Sequence, residues 1–125
     1  MNLITIVTPT YNRARTLPIL YNSLCRQSSK NFNWLIIDDG STDNTEQLIK
    51  TFGSPYFEIK YVKKGNGGKH TALNYAFGIV DTELTFIVDS DDWLTEDAIS
   101  TIENDWYGRK SLDVCGISYL RGHNE

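Results

Sequence analysis

Four short apolar runs punctuate the chain, at residues 3–7 (LITIV), 34–37 (WLII), 57–62 (FEIKYV) and 84–88 (LTFIV), and a stretch with helical spacing follows each. After the first run, Leu17, Leu20, Tyr21 and Leu24 recur at helical period, with Thr16 as a cap and Pro18 in the first turn, where it is tolerated. After the second, Asp43 and Glu46 stand at capping-box spacing ahead of Leu48, Ile49 and Phe52. Leu73, Ala76, Phe77 and Val80 mark a third helix. Thr95 caps a fourth, with Glu96 and Asp97 in its first turn and Ala98, Ile99, Ile102 and Trp106 as its apolar stripe. Residues 113–119 form a weaker final strand. This alternation predicts an α/β fold: a mostly parallel sheet with helices on both faces and right-handed crossovers. The alternating run 57–62 reads as a strand near an edge. In such sheets ligands bind outside the carboxyl ends of the strands, so the residues that follow each strand carry the functional information.

The chain of 125 residues suffices for a single domain, 1–125, with a modest core. Its net charge of −4 argues against a nucleic-acid partner, which requires a basic face. No apolar stretch approaches the roughly 18–20 residues of a membrane span. The start, MNLITIVTPTYN, lacks a basic region and a small-residue cleavage site, so it does not read as a signal peptide. Cys25 and Cys115 lie in apolar settings and form no CxxC pair, which predicts reduced, buried thiols and a cytoplasmic location.

Four strand exits are chemically distinctive: Thr8-Pro9-Thr10-Tyr11-Asn12-Arg13, Asp38-Asp39-Gly40-Ser41, Gly65-Asn66-Gly67-Gly68-Lys69 and Asp89-Ser90-Asp91-Asp92. Two unit charges about 5 Å apart at an effective dielectric of about 20 repel by roughly 3 kcal/mol. The last exit must therefore splay its acids into water, protonate one, or hold a cation. Only oxygen ligands are available there, so Mg²⁺ or Mn²⁺ fits better than Zn²⁺. The plainer alternative is a solvated turn in which Asp92 caps a helix. The glycines of the third exit allow close backbone approach, and with Lys63, Lys64, Lys69 and His70 around a helix start they attract an anion. The alternative there is a flexible connection with a solvated basic patch; His70 is given no catalytic role. Asp38 or Asp39 can accept from a ribose hydroxyl or a base N–H, or else cap the turn. Tyr11 can stack on a base or simply pack over the strand ends. Together these groups form the inventory of a nucleoside-diphosphate site. A dinucleotide GxGxxG and a GxxxxGK[ST] phosphate loop are both absent.

ITIVTPTYNRARTL, WLIIDDGSTDNT, NGGKHTALN and IVDSDD resemble, in order and spacing, the motifs of family 2 inverting glycosyltransferases with the GT-A fold, over residues 3 to about 93. The resemblance implies that Pro9, Thr10, Tyr11 and Asp39 bind the nucleoside, with Asp39 facing the base. Asp89 and Asp91 would be the two acids of the DxD motif, Asp91 coordinating a divalent ion that bridges the diphosphate and Asp89 lying nearer the ribose. Lys69 would lie near the donor. Many relatives carry Arg where this chain has Leu73. Family members continue into a second half that bears the acceptor surface and an Asp or Glu base, so residues 1–125 are expected to be the donor-binding portion, with the general base beyond residue 125.

The function implied is metal-dependent transfer of a sugar, with inversion, from a nucleotide-diphosphate sugar to a hydroxyl of a glycan or lipid-linked acceptor. Uridine is favoured by family frequency, and polysaccharide biosynthesis is the implied process. The rivals are a non-catalytic nucleotide-sugar-binding module and a nucleotidyltransferase; the latter's N-terminal glycine-rich signature is missing from TPTYNRART. The location is cytoplasmic, with the inner face of a membrane open to a longer protein. A partial α/β domain exposes apolar surface, so self-association is open to it.

Overall fold

The computed structural model describes residues 2–109. Its elements run β1 (Ile4–Thr10), α1 (Leu17–Cys25), β2 (Phe32–Asp38), α2 (Thr45–Ile49), β3 (Ile59–Lys63), α3 (Lys69–Phe77), β4 (Leu84–Ile87) and α4 (Ala98–Arg109). The strands form one parallel sheet in the order β3-β2-β1-β4. The expected α/β alternation is therefore present through α4, and β3 lies at an edge as its alternating pattern predicts. The strand expected at 113–119 and Cys115 fall outside the described residues.

β1 is buried from end to end, and β2 at every position but the half-buried Asn33, because each is paired on both sides and covered on both faces. Alternate side chains go to opposite layers. Ile4, Ile6, Phe32, Trp34 and Ile36 pack with Leu17, Leu20 and Leu24 of α1, Ile49 of α2, and Ile99, Ile102 and Trp106 of α4. Val7, Leu35 and Ile37 pack instead with Ala72 and Ala76 of α3. The helices thus split between the two faces. Small residues on α3 let it lie close to the sheet.

Several local expectations change. β1 does not close at Thr8-Pro9 but continues to Thr10, in register with β2 as far as Asp38. The Val7 carbonyl accepts from Val88 of β4's exit, so the backbone groups of Val7 and Pro9 face that side and those of Thr8 and Thr10 face β2. The missing Pro9 N–H falls where the β4 ladder has already ended, and it costs no pairing. Thr16 makes no side-chain cap; its hydroxyl donates to the Ser90 carbonyl at 2.9 Å. Glu46 does not complete a capping box. Asp43 accepts from the Thr45 amide at 3.0 Å, while Glu46 pairs with Lys50 and Lys63. Phe77 is exposed, and the buried face of α3 is Ala72 and Ala76. Cys25 is exposed on the solvent side of α1 rather than buried. α4 begins at Ala98, after Thr95, Glu96 and Asp97. Its amino end is met by Gln27, which is fully buried: the side chain accepts from the Ile99 amide at 3.1 Å and donates to the Thr95 carbonyl at 2.7 Å. Among the described residues no helix is long and apolar enough to cross a membrane.

Candidate functional site

Parallel strands bring the four distinctive exits to one edge of the sheet. At the exit of β2 the two adjacent aspartates diverge, as neighbours along a strand must. Asp38 is fully buried and holds the backbone turn together. Its Oδ1 accepts from the Ser41 amide at 2.8 Å, and its Oδ2 accepts from the Tyr61 hydroxyl. Burial, and then the bond to Asp38, push the Tyr61 phenol well above its ordinary range. Asp38 is therefore the turn-forming acid, buried away from the surface.

Asp39 points toward the glycine loop. Oδ1 accepts from Lys64 Nζ at 2.7 Å and the Gly67 amide at 2.9 Å; Oδ2 accepts from the Gly68 amide at 2.8 Å. Burial alone would raise its pKa, but the Lys64 bond and the two amides outweigh that and hold the carboxyl below its usual value. This corrects the reading of the loop as an open anion trap. The amides of Gly67 and Gly68 do bind an anion, and it is the chain's own Asp39. Two of the flanking lysines are likewise engaged, Lys63 with Glu46 at 3.3 Å and Lys64 with Asp39. Gly40, at φ +85°, packs under the loop, and a Cβ there would lie 3.1 Å from the Asn66 nitrogen.

The loop after β1 is tied to the same edge. Asn12, at φ 52°, accepts from the Thr42 amide at 2.8 Å and the Asp43 amide at 3.2 Å, and its own amide donates to Ser41 Oγ at 2.9 Å. Of the nucleoside-contacting residues expected here, Pro9 and Thr10 are buried and Tyr11 is 44% exposed. The Thr10 carbonyl accepts from the Asp39 amide at 2.8 Å, so these residues and Asp39 come together. Among the described residues Thr10 Oγ1 is buried with no hydrogen-bond partner.

At the exit of β4, residues 89–92 form a turn closed by the Asp92 amide on the Asp89 carbonyl at 3.0 Å and braced by Thr16 on Ser90. Carboxylate oxygens of Asp89, Asp91 and Asp92 lie within 4.8 Å of one another. Lys69, the first residue of α3, reaches Asp89 Oδ1 at 2.7 Å, so two residues expected near the donor meet directly. The acid cluster is thus offset on one side by the chain's own cation. All-oxygen donors at this spacing suit a hard divalent ion that retains waters. Of the residues that build this edge, the sequence does not single out Thr71, and it marks Lys64 only as one flanking cation and Asn12 only as part of the first exit. Only Asn12 carried a signal, since Asn tolerates the left-handed region; nothing in the sequence separates Lys64 from Lys63.

Fold and edge together define a Rossmann-like α/β domain with an acidic turn and a glycine loop at the carboxyl ends of its strands. The chain belongs to glycosyl transferase family 2, which it matches over residues 5–124. It is 31% identical over 99 residues to glycosyltransferase GlyA of Streptococcus pneumoniae, covering 79% of this chain and 14% of that protein. It is 32% identical over 96 residues to the Escherichia coli UDP-Glc:alpha-D-GlcNAc-diphosphoundecaprenol beta-1,3-glucosyltransferase WfgD, covering 74% of this chain and 36% of that one. The crystal structure of Staphylococcus aureus TarS residues 1–349 with UDP-GlcNAc superposes with a TM-score of 0.80 at 27% identity, over 88% of this chain and 32% of that one. The chain thus spans about a third or less of the proteins it resembles here.

Proposed function

We propose that residues 1–125 are the donor-binding portion of an inverting glycosyltransferase that uses a uridine diphosphate sugar and a divalent cation. The observation that carries this reading is the acidic turn: three carboxylates within 4.8 Å of one another, on a turn braced from α1 and adjoined by Lys69 at the start of α3. Uridine is supported by the UDP-GlcNAc bound to TarS and by the UDP-Glc donor in the name of WfgD. Pro9, Thr10, Tyr11 and Asp39 hold the nucleoside, and Asp89 lies toward the ribose. Asp91, with its neighbours, holds Mg²⁺ or Mn²⁺, which supplies electrostatic stabilisation to the diphosphate as a leaving group. Lys69 adds a fixed positive charge beside it.

An acceptor hydroxyl attacks the anomeric carbon from the face opposite the diphosphate. The new C–O bond forms as the bond to the β-phosphate oxygen breaks. The hydroxyl proton passes to a carboxylate base outside residues 1–125, and configuration inverts. The acceptor is a glycan or a lipid-linked sugar, the second supported by the name of WfgD, which favours polysaccharide assembly at the inner face of a membrane.

Calorimetric titration with UDP in Mn²⁺ and then in EDTA tests this. Binding is expected in Mn²⁺ and at least tenfold weaker in EDTA. Asp91→Ala is expected to abolish the difference between the two buffers. An unchanged metal response in Asp91→Ala would sink the metal assignment.

A further inference from the structure

The Lys64 ammonium is fully engaged inside the protein. Its three N–H groups meet Asp39 Oδ1 at 2.7 Å, the Gly65 carbonyl at 2.7 Å and Thr71 Oγ1 at 2.8 Å, which exhausts a lysine's donors. Thr71 donates onward to the Gly68 carbonyl at 2.7 Å. The side chain is 19% exposed and that of Asp39 8%. Lys64 is therefore committed to the loop and is not a phosphate ligand.

The consequence falls on Asp39. A carboxylate offers about four acceptor sites, two on each oxygen. Lys64 Nζ and the Gly67 amide fill Oδ1, while the Gly68 amide takes one site on Oδ2. One site remains. Nucleobases differ in what they would bring to it. Uracil and thymine present a single ring N–H at N3 between two carbonyl acceptors. Guanine presents a parallel pair, N1–H and N2–H, which calls for both oxygens of a carboxylate. Cytosine presents an acceptor at N3, which a carboxylate repels, and its N–H donor is the exocyclic N4 amino group, displaced from the ring N–H position.

On the reading that Asp39 faces the base, we propose that Lys64 is a specificity-determining positioning residue. By sharing Oδ1 of Asp39 with the Gly67 amide, it leaves one acceptor site and so selects a base with a single ring N–H, uracil or thymine, over guanine and cytosine. The surroundings hold this arrangement in place. A Cβ at Gly67 would lie 2.8 Å from Thr71 Oγ1 and 3.3 Å from Lys64 Nζ, and the Lys64 amide is bonded to the Asp38 carbonyl at 2.8 Å. Asp39 is held ionised, hence acceptor-only, as a lone N–H donor requires.

The test is a set of dissociation constants for UDP, CDP and GDP in Mn²⁺, measured on the wild type, Lys64→Met, Lys64→Arg and Thr71→Val, with circular dichroism to verify the fold. The wild type should prefer UDP at least tenfold over CDP and GDP. Lys64→Met frees a site on Oδ1, so UDP should weaken and the UDP-to-GDP preference should narrow at least fivefold. Lys64→Arg should restore part of that preference. Thr71→Val removes one partner of Lys64 and should give an intermediate narrowing, which keeps the test available if Lys64→Met misfolds. Equal weakening of all three nucleotides in Lys64→Met, or a preference unchanged in both variants, would overturn the role of Lys64 and leave the donor-site reading standing. A wild type that prefers GDP would overturn it too. A wild type that binds no nucleotide would overturn the donor-site reading and this inference with it.

Discussion

Asp38 and Asp39 are the same residue type at consecutive positions, yet one closes a turn and the other binds the glycine loop. Strand alternation explains the divergence: successive side chains leave on opposite faces, one toward Tyr61 and Ser41, the other toward the glycine loop. Because the fold depresses the Asp39 pKa, its contribution to stability is present above the unfolded carboxylate value of about 3.9 and is lost as pH falls through the lower, folded value. Thermal melts should therefore be steady near neutrality and fall progressively below about pH 4. Asp39→Asn should remove part of that acid slope, and an identical slope in the variant would refute the assignment. Thr10 supports a second prediction at this scale. Its buried hydroxyl lacks a partner among the described residues, and such a group costs about 1–3 kcal/mol. Thr10→Val should raise stability by about 1 kcal/mol in urea unfolding. If a ribose or base group meets that hydroxyl, UDP affinity should fall severalfold in the same variant. A loss of stability would show that the hydroxyl is already satisfied.

Among the elements, the helix ends depart most from what local sequence suggests. Thr16 is in position to cap α1 but bonds across to Ser90, tying α1 to the acidic turn. α4 is capped from a distance by Gln27, fully buried and 72 residues away from its partner Ile99. Capping-box statistics describe bonds within three residues of a helix start, so neither arrangement was legible in the sequence. Gln27→Ala would leave the Ile99 amide without its Gln27 partner and take one of two donors from the Thr95 carbonyl, which keeps the Ala98 amide at 3.1 Å. It should cost about 1–3 kcal/mol, read as a lower urea midpoint with an unchanged slope. A midpoint within error of the wild type would mean that water replaces the amide. The cap belongs to α4 rather than to the acidic turn, so the metal dependence of UDP binding should survive the substitution.

For the whole molecule, the paired exits of β1, β2 and β4 and the start of α3 compose one surface, and a donor bound as proposed would engage residues 9 to 91 at once. Binding to the folded state alone stabilises by mass action, about 2.7 kcal/mol at a ligand concentration 100-fold above Kd. UDP with Mn²⁺ should thus raise the melting temperature by several degrees, and UDP with EDTA by much less. Equal shifts in the two buffers would place the nucleotide without the cation. The parallel sheet itself was legible because it follows from hydrophobic periodicity, which survives averaging over neighbours. The five-residue α2 and the exposed Phe77 were less so, since short or weakly amphipathic helices take their facing from the sheet they land on.

By itself the sequence determined the order of strands and helices, the mostly parallel sheet, and the edge at which Pro9, Thr10, Tyr11, Asp39, Lys69, Asp89 and Asp91 would gather. The elements and the edge follow from local pattern and from the rule that parallel strands share their exits, and the choice of those seven residues follows from the resemblance to family 2 motifs. Only the tertiary structure decided which acid accepts from which donor. Lys64 and Lys63 are indistinguishable as letters, and so are Asp38 and Asp39. Their partners are set by strand phase and by a chain that folds back on itself, Lys64 onto Asp39 and Lys63 toward Glu46. Hydrogen bonds are short-ranged and directional, so a difference of one position along a strand changes the partner entirely while leaving the fold unaltered.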